Sequence, residues 1–300
     1  MDDFLPPLFT RVPKGPVSRI APTPSGFLHL GNAVNFLITW ALVRHGGGTL
    51  NLRIDDMDGP RFRREVLEDI FVSLNWLGID WDHGPQGPDA FLKNYSLQHR
   101  RAHYFKRLRE LGEKSGKVFT CTCSRSAIKK ISTNGLYPHT CRSLDHGFVP
   151  GENALRLQVP KATVIGVEGQ EICLDETLGD FILWRRDDQP SYQLASLIED
   201  EEARINFIVR GRDLLPSTAA QLYLANLFNF SHFPGTAFIH HDLIPGADGQ
   251  KLSKSRGAYS LKDMRESGLG PEMALEQAAR IIGLPAQGLG TPWDLLDRMG

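Results

Sequence analysis

The sequence lacks the features that mark membrane, secreted or strongly charged proteins. It has no run of about eighteen apolar residues, the length that suggests a membrane span. The opening MDDFLPPLFTRVPKGP has no apolar run of signal-peptide length. Because 34 Lys and Arg nearly balance 35 Asp and Glu, bulk charge does not favour nucleic acid. We therefore expect a cytoplasmic protein with no membrane partner, in which only local basic patches contact nucleic acid.

Cysteine is also scarce, and four cysteines in a cytoplasmic chain of this length do not make a disulfide framework. Three of them, Cys121, Cys123 and Cys141, fall within CTCSRSAIKKISTNGLYPHTC. Three thiolates and a fourth N or O ligand suit tetrahedral zinc in a closed structural site. His139 is the generic fourth ligand, and reduced cysteines without metal are the alternative. Cys173 stands alone and is expected to be a small buried apolar side chain.

Strand and helix patterns alternate through the first eighty residues. VSRIA at 17–21 and TLNLRI at 49–54 are typical of buried strands. A helix is predicted to begin near Gly31, and VLEDIFVSLNWLG at 66–78 predicts another. This alternation predicts an α/β fold with a doubly wound parallel sheet.

The pattern changes from about residue 116 to 184, where a Cys-bearing loop and short strand-like runs replace it. The α/β pattern then resumes with a helix at YQLASLIEDEE, a strand at INFIVRG and a helix at PSTAAQLYLANLF. We therefore predict a discontinuous catalytic domain over 1–115 and 185–265. An inserted zinc-bearing subdomain is predicted over 116–184, and a short helical tail over 266–300.

The junction at 17–35 carries the first chemical motif. Gly26 and Gly31 lie where the backbone must approach a ligand closely, and the helix start aims its N–H groups at that ligand. His29 is placed to donate a hydrogen bond to a phosphate oxygen. Taken alone, HLGN is weak evidence, because an isolated His-x-Gly is more often an incidental turn.

KLSKS at 251–255 is the second motif and lies in a Gly-flanked loop. Lys251 and Lys254 so placed can clamp a polyphosphate, although an exposed basic loop without function is the alternative.

Together the two motifs resemble the ATP-binding motifs of class I aminoacyl-tRNA synthetases. SRIAPTPSGFLHLGN, LRIDDMDGPR, SYQLASLIEDEE, IVRGRDLL and KLSKS, in that order over residues 17–265, resemble the glutamyl branch of that class. The resemblance implies a Rossmann-type fold, ATP with Mg²⁺ as a substrate, and catalysis by His29, Lys251 and Lys254. The residues that it implies for ATP binding are His29, Gly31, Asn32, Lys251, Ser253 and Lys254.

The residues themselves also suit glutamate, whose two carboxylates and one ammonium group call for about two cations and one anion. By resemblance, Arg19 and Arg210 hold the carboxylates, Tyr192 adds a hydroxyl and Asp55 faces the ammonium group. The same pocket is lined by Ile20, Ala21, Pro22 and Thr23. Asp55 departs from the branch, which usually has Glu there, and R-I-D-D resembles the glutaminyl branch. A water can bridge the gap left by the shorter side chain.

The cysteine segment carries a narrower resemblance. C-x-C followed by Y-x3-C is similar to the zinc site of the glutamyl-queuosine tRNA(Asp) synthetases, in which a tyrosine oxygen is a ligand. This implies one structural Zn²⁺ held by Cys121, Cys123, Tyr137 and Cys141, with Tyr137 preferred to His139.

Residues 256–300 are too few for the helical anticodon-binding domains that follow the lysine loop in full glutamyl-tRNA synthetases, so we expect no such domain. The glutamyl-queuosine group shares this truncation. Membership implies tRNA-independent activation of L-glutamate, then transfer to queuosine at the wobble position of tRNA(Asp), by a monomeric enzyme. Phosphates would contact Arg61, Arg63 and Arg64 or the stretch 100–109, although both stretches also fit solvated helix faces.

Three alternatives remain open at this point. One is a compact glutamyl-tRNA, or less readily glutaminyl-tRNA, synthetase that charges a tRNA 3′ end. Another is a synthetase-like paralogue without catalysis, against which His29, Lys251 and Lys254 argue. The last is a small-molecule adenylate-forming ligase, which would not need the paired arginines together with YQLA.

Overall fold

A computed structural model of the chain describes residues 8–244 and 260–300. Its strands are β1 (Val17–Ile20), β2 (Thr49–Leu52), β3 (Val118–Cys121), β4 (Ala154–Leu157), β5 (Val164–Val167), β6 (Gln170–Cys173), β7 (Phe181–Trp184), β8 (Phe207–Gly211) and β9 (Ala237–His241). Its helices are α1 (Leu30–His45), α2 (Arg64–Trp76), α3 (Pro88–Ala90), α4 (Arg101–Ser115), α5 (Arg125–Ile131), α6 (Leu174–Thr177), α7 (Tyr192–Glu202), α8 (Leu215–Phe228), α9 (Leu261–Glu266), α10 (Glu272–Ile282) and α11 (Pro292–Asp297). None of the helices in these two ranges is long and apolar enough to cross a membrane.

The chain divides into two compact units. The first comprises Met1–Ser96, Ile205–Asp213 and Thr236–Gly300, and the second comprises Leu97–Arg204 and Leu214–Gly235. The predicted insertion at 116–184 lies inside the second unit, which begins earlier in the chain and also contains α4, α7 and α8. The predicted tail at 266–300 carries α10 and α11, which belong to the first unit.

Parallel strand pairs build the first unit. β1 pairs with β2 from Val17↔Thr49 onward, and β8 pairs with β9 from Phe207↔Ala237 onward. Asn206 joins the two pairs, because its N–H donates to the Val17 carbonyl (3.0 Å) and its Oδ1 accepts from the Val17 N–H (2.7 Å). The strand β8 therefore lies beside β1, on the side away from β2, although β1-β2 and β8-β9 are two separate two-stranded sheets. The predicted α/β class with parallel strands is confirmed.

Helix α1 forms the centre of the first unit. Apolar residues are buried on all sides of the helix: Ala33, Val34, Phe36, Leu37, Ile38, Trp40, Ala41, Leu42 and Val43. The helix contacts β1, β2 and β8, and it also contacts α10 and α11. Trp40 packs edge-on against Trp293 with ring centroids 4.9 Å apart. Such burial stabilises the fold by about 1.5–3 kcal/mol per large apolar side chain and holds α1 against the strands.

The second unit contains the antiparallel sheet β3-β4-β7 and the hairpin β5-β6. β4 is the central strand, pairing through Cys121↔Ala154 with β3 and through Leu157↔Phe181 with β7. The register with β7 shifts between Leu155 and Arg156. Such a bulge changes the direction in which the following side chain points.

Candidate functional site

Two buried arginines lie near the carboxyl ends of β1 and β8, each of which belongs to a parallel strand pair. Arg19 is the third residue of β1 and Arg210 the fourth of β8, and they are 6% and 3% exposed. The chain runs from β1 to β2 on one side, while β8 lies on the other side of β1. In open parallel sheets, ligands bind beyond the carboxyl ends at such a reversal of strand order. Two guanidinium groups at this place suit a ligand with carboxylates.

The residues that follow β1 run beside those that follow β2. The Arg53 N–H donates to the Ile20 carbonyl (3.0 Å), and the Asp55 N–H donates to the Pro22 carbonyl (2.9 Å). Ile20 belongs to the hydrophobic core and Pro22 is also buried. Ala21 and Thr23, which are predicted to line the same pocket, are partly exposed.

Asp55 already has a cationic partner. Arg53 Nε lies 2.7 Å from Asp55 Oδ1, and Arg53 Nη2 lies 3.3 Å from Oδ2. Residues two apart in an extended segment point to the same face, so the R-x-D spacing carried a signal that sequence reasoning missed. A substrate ammonium group at Asp55 would share the carboxylate with Arg53.

His29 occupies the N-cap of α1. Its N–H donates to Asn32 Oδ1 (3.1 Å), and the Asn32 N–H donates to the His29 carbonyl (2.9 Å). A Cβ at Gly31 would lie 3.0 Å from His29 Cε1 and 3.1 Å from Nδ1. Gly31 therefore leaves room for an imidazole that folds over the first turn, where the helix N-terminus favours an anion.

Lys251, Ser253 and Lys254 lie outside the described residues. The segments that flank them lie beside α1: the Leu261 N–H donates to the Leu28 carbonyl (2.7 Å), and His241 Nε2 lies 3.1 Å from Asn35 Oδ1. Burial lowers the pKa of His241. Neither contact was foreseen from sequence, since each joins residues more than 200 positions apart.

Tyr192 belongs to the second unit, where it is the first residue of α7 and is 38% exposed. Ser191 caps that helix by accepting a hydrogen bond from the Leu194 N–H (3.4 Å).

Three cysteines of the second unit form a compact cluster. The sulfurs of Cys121, Cys123 and Cys141 all lie within 4.8 Å of one another. Cys123 and Cys141 are 3.6 Å apart at sulfur, close to the roughly 3.8 Å that two thiolates span across tetrahedral zinc. The Tyr137 hydroxyl joins this cluster and accepts a hydrogen bond from the Cys141 N–H (2.7 Å). His139 instead places Nδ1 3.0 Å from Asp180 Oδ2. The atoms that could bind a metal here are therefore three sulfurs and a phenol oxygen.

The thiols of this cluster differ in acidity. Burial works against ionisation of Cys141, but hydrogen bonds with Tyr137, Thr122 and Cys123 together lower the pKa of that thiol to about 6. Burial and the neighbouring Cys141 raise the pKa of Cys123 to about 11. A cation that binds Cys123 as a thiolate would have to displace its proton.

The sequence matches the family "tRNA synthetases class I (E and Q), catalytic domain" over residues 17–290. The chain belongs to that family of class I synthetases. It is therefore a member of a ligase family, as the motifs predicted.

Relatives of this class I synthetase have two kinds of name. The "Glutamyl-Q tRNA(Asp) synthetase" of Symbiobacterium thermophilum is 35% identical over 292 residues, which cover 90% of this chain and 87% of the relative. The "Glutamate--tRNA ligase 2" of Syntrophus aciditrophicus is 34% identical over 88% of this chain, but the match covers only 57% of that relative. A glutamate-tRNA synthetase structure from Elizabethkingia anophelis shares the fold, with a TM-score of 0.71 at 24% identity over 88% of this chain and 61% of that one.

Most of the predicted phosphate contacts of the synthetase are paired with carboxylates. Arg63 binds Glu65 (3.1 Å), and Arg64 binds Glu68 and Asp89 (2.9 and 2.7 Å). The stretch 100–109, which includes the first residues of α4, makes similar pairs within the second unit. Exposed pairs of this kind contribute little and match the solvated helix faces that the sequence favoured.

Proposed function

We propose that this class I synthetase activates L-glutamate with ATP and Mg²⁺ to glutamyl-adenylate without tRNA, and then transfers glutamate to queuosine at the wobble position of tRNA(Asp). The observation that carries the first half is the pair of buried arginines, Arg19 and Arg210, at the carboxyl edge of β1 and β8. The second half is supported by the name and the matching length of the Symbiobacterium relative.

In the first step, a carboxylate oxygen of glutamate attacks the α-phosphorus of ATP, and pyrophosphate leaves with the electron pair of the broken P–O bond. Arg19 and Arg210 bind the two carboxylates, so the attacking group is held before reaction. His29 at the start of α1 donates to a phosphate oxygen, and the helix N-terminus adds a favourable potential. Lys251 and Lys254 neutralise charge on the phosphates as it redistributes.

In the second step, a hydroxyl of the queuosine cyclopentene ring attacks the activated carbonyl carbon and AMP leaves. The acceptor must then reach the same edge of the sheet that holds the adenylate. Arg61 and Arg63 follow β2 in the same unit and are exposed, so either could contact a phosphate of the anticodon loop.

We also propose one structural zinc in the second unit, held by Cys121, Cys123, Tyr137 and Cys141. The spacing of the sulfurs, the position of the Tyr137 oxygen and the engagement of His139 with Asp180 support this ligand set. When bound, the metal would cross-link the segment after β3 to the loop before β4.

A compact glutamyl-tRNA synthetase is the second candidate, favoured by the 34% identity to the Syntrophus ligase over 88% of this chain. An acceptor assay separates the two. We expect radiolabelled glutamate on tRNA(Asp) that carries queuosine, and none on queuosine-free tRNA(Asp) or on tRNA(Glu). Periodate oxidation of the 3′ terminal ribose should leave acceptance unchanged if the queuosine diol is protected. Equal labelling of queuosine-free tRNA(Asp), or efficient charging of tRNA(Glu), would establish the charging enzyme.

A further inference from the structure

Arg156 is a buried cation directly over the ring of Tyr137. Its side chain leaves the central strand β4 at the shifted register and is 7% exposed. Its Cζ lies 4.1 Å from the centroid of the Tyr137 ring. A guanidinium over a tyrosine ring is attracted by about 0.5–2 kcal/mol, which is small against the cost of burying a charge.

Arg156 contacts the main chain of Asp180, whose carboxylate is already engaged. Asp180 Oδ1 accepts from Arg142 Nη2 (2.6 Å) and the Val159 N–H (2.8 Å), and Asp180 Oδ2 lies 2.7 Å from Arg142 Nε. Arg156 reaches only the Asp180 main-chain carbonyl, through Nη1 at 2.8 Å. Within residues 8–244 and 260–300, no carboxylate forms an ion pair with Arg156, and its buried Nε has no hydrogen-bond partner.

A metal in the cysteine cluster would supply the missing negative charge. A divalent cation with three thiolates is already net anionic, and a tyrosine oxygen that binds it as phenolate adds one further negative charge. In a low-dielectric interior such a charge needs a nearby cation. Arg156 is placed on the ring through which that added charge is delocalised.

We propose that Arg156 is the countercharge of the metal centre and acts through the Tyr137 oxygen, so that it favours tyrosine as the fourth ligand. This inference rests on the proposed ligand set. Arg156 is a positioning residue for the metal, without contact to it, and groups of this kind typically change metal affinity by about 10–100-fold.

A double-mutant cycle on the full chain tests this coupling, with zinc affinity measured by competition against a chromophoric chelator. Arg156→Met, which removes the charge and keeps the length, should weaken zinc binding by about tenfold in the presence of Tyr137. In the Tyr137→Phe background the same change should cost less than about twofold, because the phenolate is absent. Arg185→Met, which removes a surface charge paired with Asp187, is the control and should leave affinity unchanged.

Equal losses from Arg156→Met in both backgrounds would overturn the inference, since Arg156 would then act on the thiolates or on the fold. Far-ultraviolet circular dichroism of each variant identifies loss of folding. If Arg156→Met does not fold, the cycle is run with Arg156→Lys. The effect of this change on zinc affinity should then differ by about threefold between the two backgrounds. An effect of the same size in both backgrounds would contradict the proposal. Zinc addition should also produce a tyrosinate difference spectrum that Tyr137→Phe abolishes. An unchanged affinity in Tyr137→Phe would refute the ligand set itself, which separates that failure from a failure of Arg156.

Discussion

In the first unit, the buried arginines Arg19 and Arg210 lie near the carboxyl ends of strands that belong to parallel pairs, where we propose that glutamate binds. In the second unit, Arg142 and Arg156 lie around Asp180 and Tyr137, inside a cluster closed by protein groups. A cation at a strand end is available for substrate recognition, whereas one inside a closed cluster stabilises structure. Substitutions should therefore change substrate kinetics in the first unit, and stability or metal affinity in the second.

Arg210 tests the first half of that comparison and should show the largest effect. Arg210→Met should lower kcat/KM for glutamate in ATP–pyrophosphate exchange by on the order of a thousandfold, because a substrate carboxylate loses its buried partner. Arg210→Lys should recover only part of the loss, since Lys lacks the planar fork. A circular dichroism melt verifies folding, and unchanged kcat/KM in a folded variant would remove Arg210 from the pocket.

Lys254 separates transition-state stabilisation from binding within the same active site. Lys254→Ala should lower kcat for exchange by about a hundredfold and change KM for glutamate by less than about threefold, because its charge acts on phosphates in the transition state. Steady-state kinetics with varied glutamate provides both constants. An unchanged kcat would contradict this role.

The pH dependence of stability at Asp180 tests the second half of the comparison, in which charged groups of the second unit stabilise structure. Burial alone would raise its pKa, but hydrogen bonds and charge from Arg142, the Val159 N–H and His139 hold the pKa of Asp180 below its usual value. The carboxylate therefore stabilises the fold above the unfolded pKa of about 3.9, and this contribution is lost as pH falls through the folded pKa.

Asp180→Asn should lower the free energy of unfolding by about 3 kcal/mol at neutral pH, since it leaves the partly buried Arg142 without its charge partner. The difference from the parent should shrink as pH falls below about 4. Urea unfolding with a chelator present measures the difference in unfolding free energy between variant and parent, without a contribution from metal release. A difference that stays constant with pH would argue against the ionised carboxylate as the source of this stability.

The fourth metal ligand offers a matched pair of variants. Tyr137→Phe should weaken zinc retention by about 10–100-fold, whereas His139→Ala should leave it unchanged because His139 binds Asp180. Zinc analysis after dialysis against a chelator gives the ranking, and the parent should retain one zinc per chain. The reverse ranking would assign the site to His139, and less than half an equivalent in the parent would refute the site.

Gly31 should give the smallest effect. In Gly31→Ala the new Cβ would lie 3.0 Å from His29 Cε1 and displace the imidazole, so the exchange rate should fall by about tenfold. Thermal stability should hold or rise, because Ala favours a helix by up to about 1 kcal/mol. Gly112→Ala in α4, whose Cβ would meet Val118 at an ordinary 3.5 Å, is the control and should leave the rate unchanged.

The features that could be predicted from the sequence are those that a local pattern of residues encodes. YQLASLIEDEE was predicted to be a helix and forms α7 over Tyr192–Glu202, and INFIVRG contains β8. The cysteine cluster was likewise expected from short spacings, and the structure brings its sulfurs together. These features depend on residues that are near one another in the chain.

Features that depend on distant partners were not predicted. Nothing local indicates that Asn206 joins β1 to β8, or that Arg156 lies over Tyr137. The pairing of Asp55 with Arg53 is a local exception, since the R-x-D spacing could have indicated it. Domain limits were equally hard to place, because α4 and α8 belong to the second unit while their sequences continue the amphipathic helix pattern.

ATP–pyrophosphate exchange with glutamate, glutamine and aspartate in the absence of tRNA tests the central claim most directly. The paired arginines Arg19 and Arg210 predict exchange with glutamate alone at a substantial rate, because only glutamate presents two carboxylates at the required separation. Faster exchange with glutamine than with glutamate, or no exchange until tRNA is added, would contradict the account.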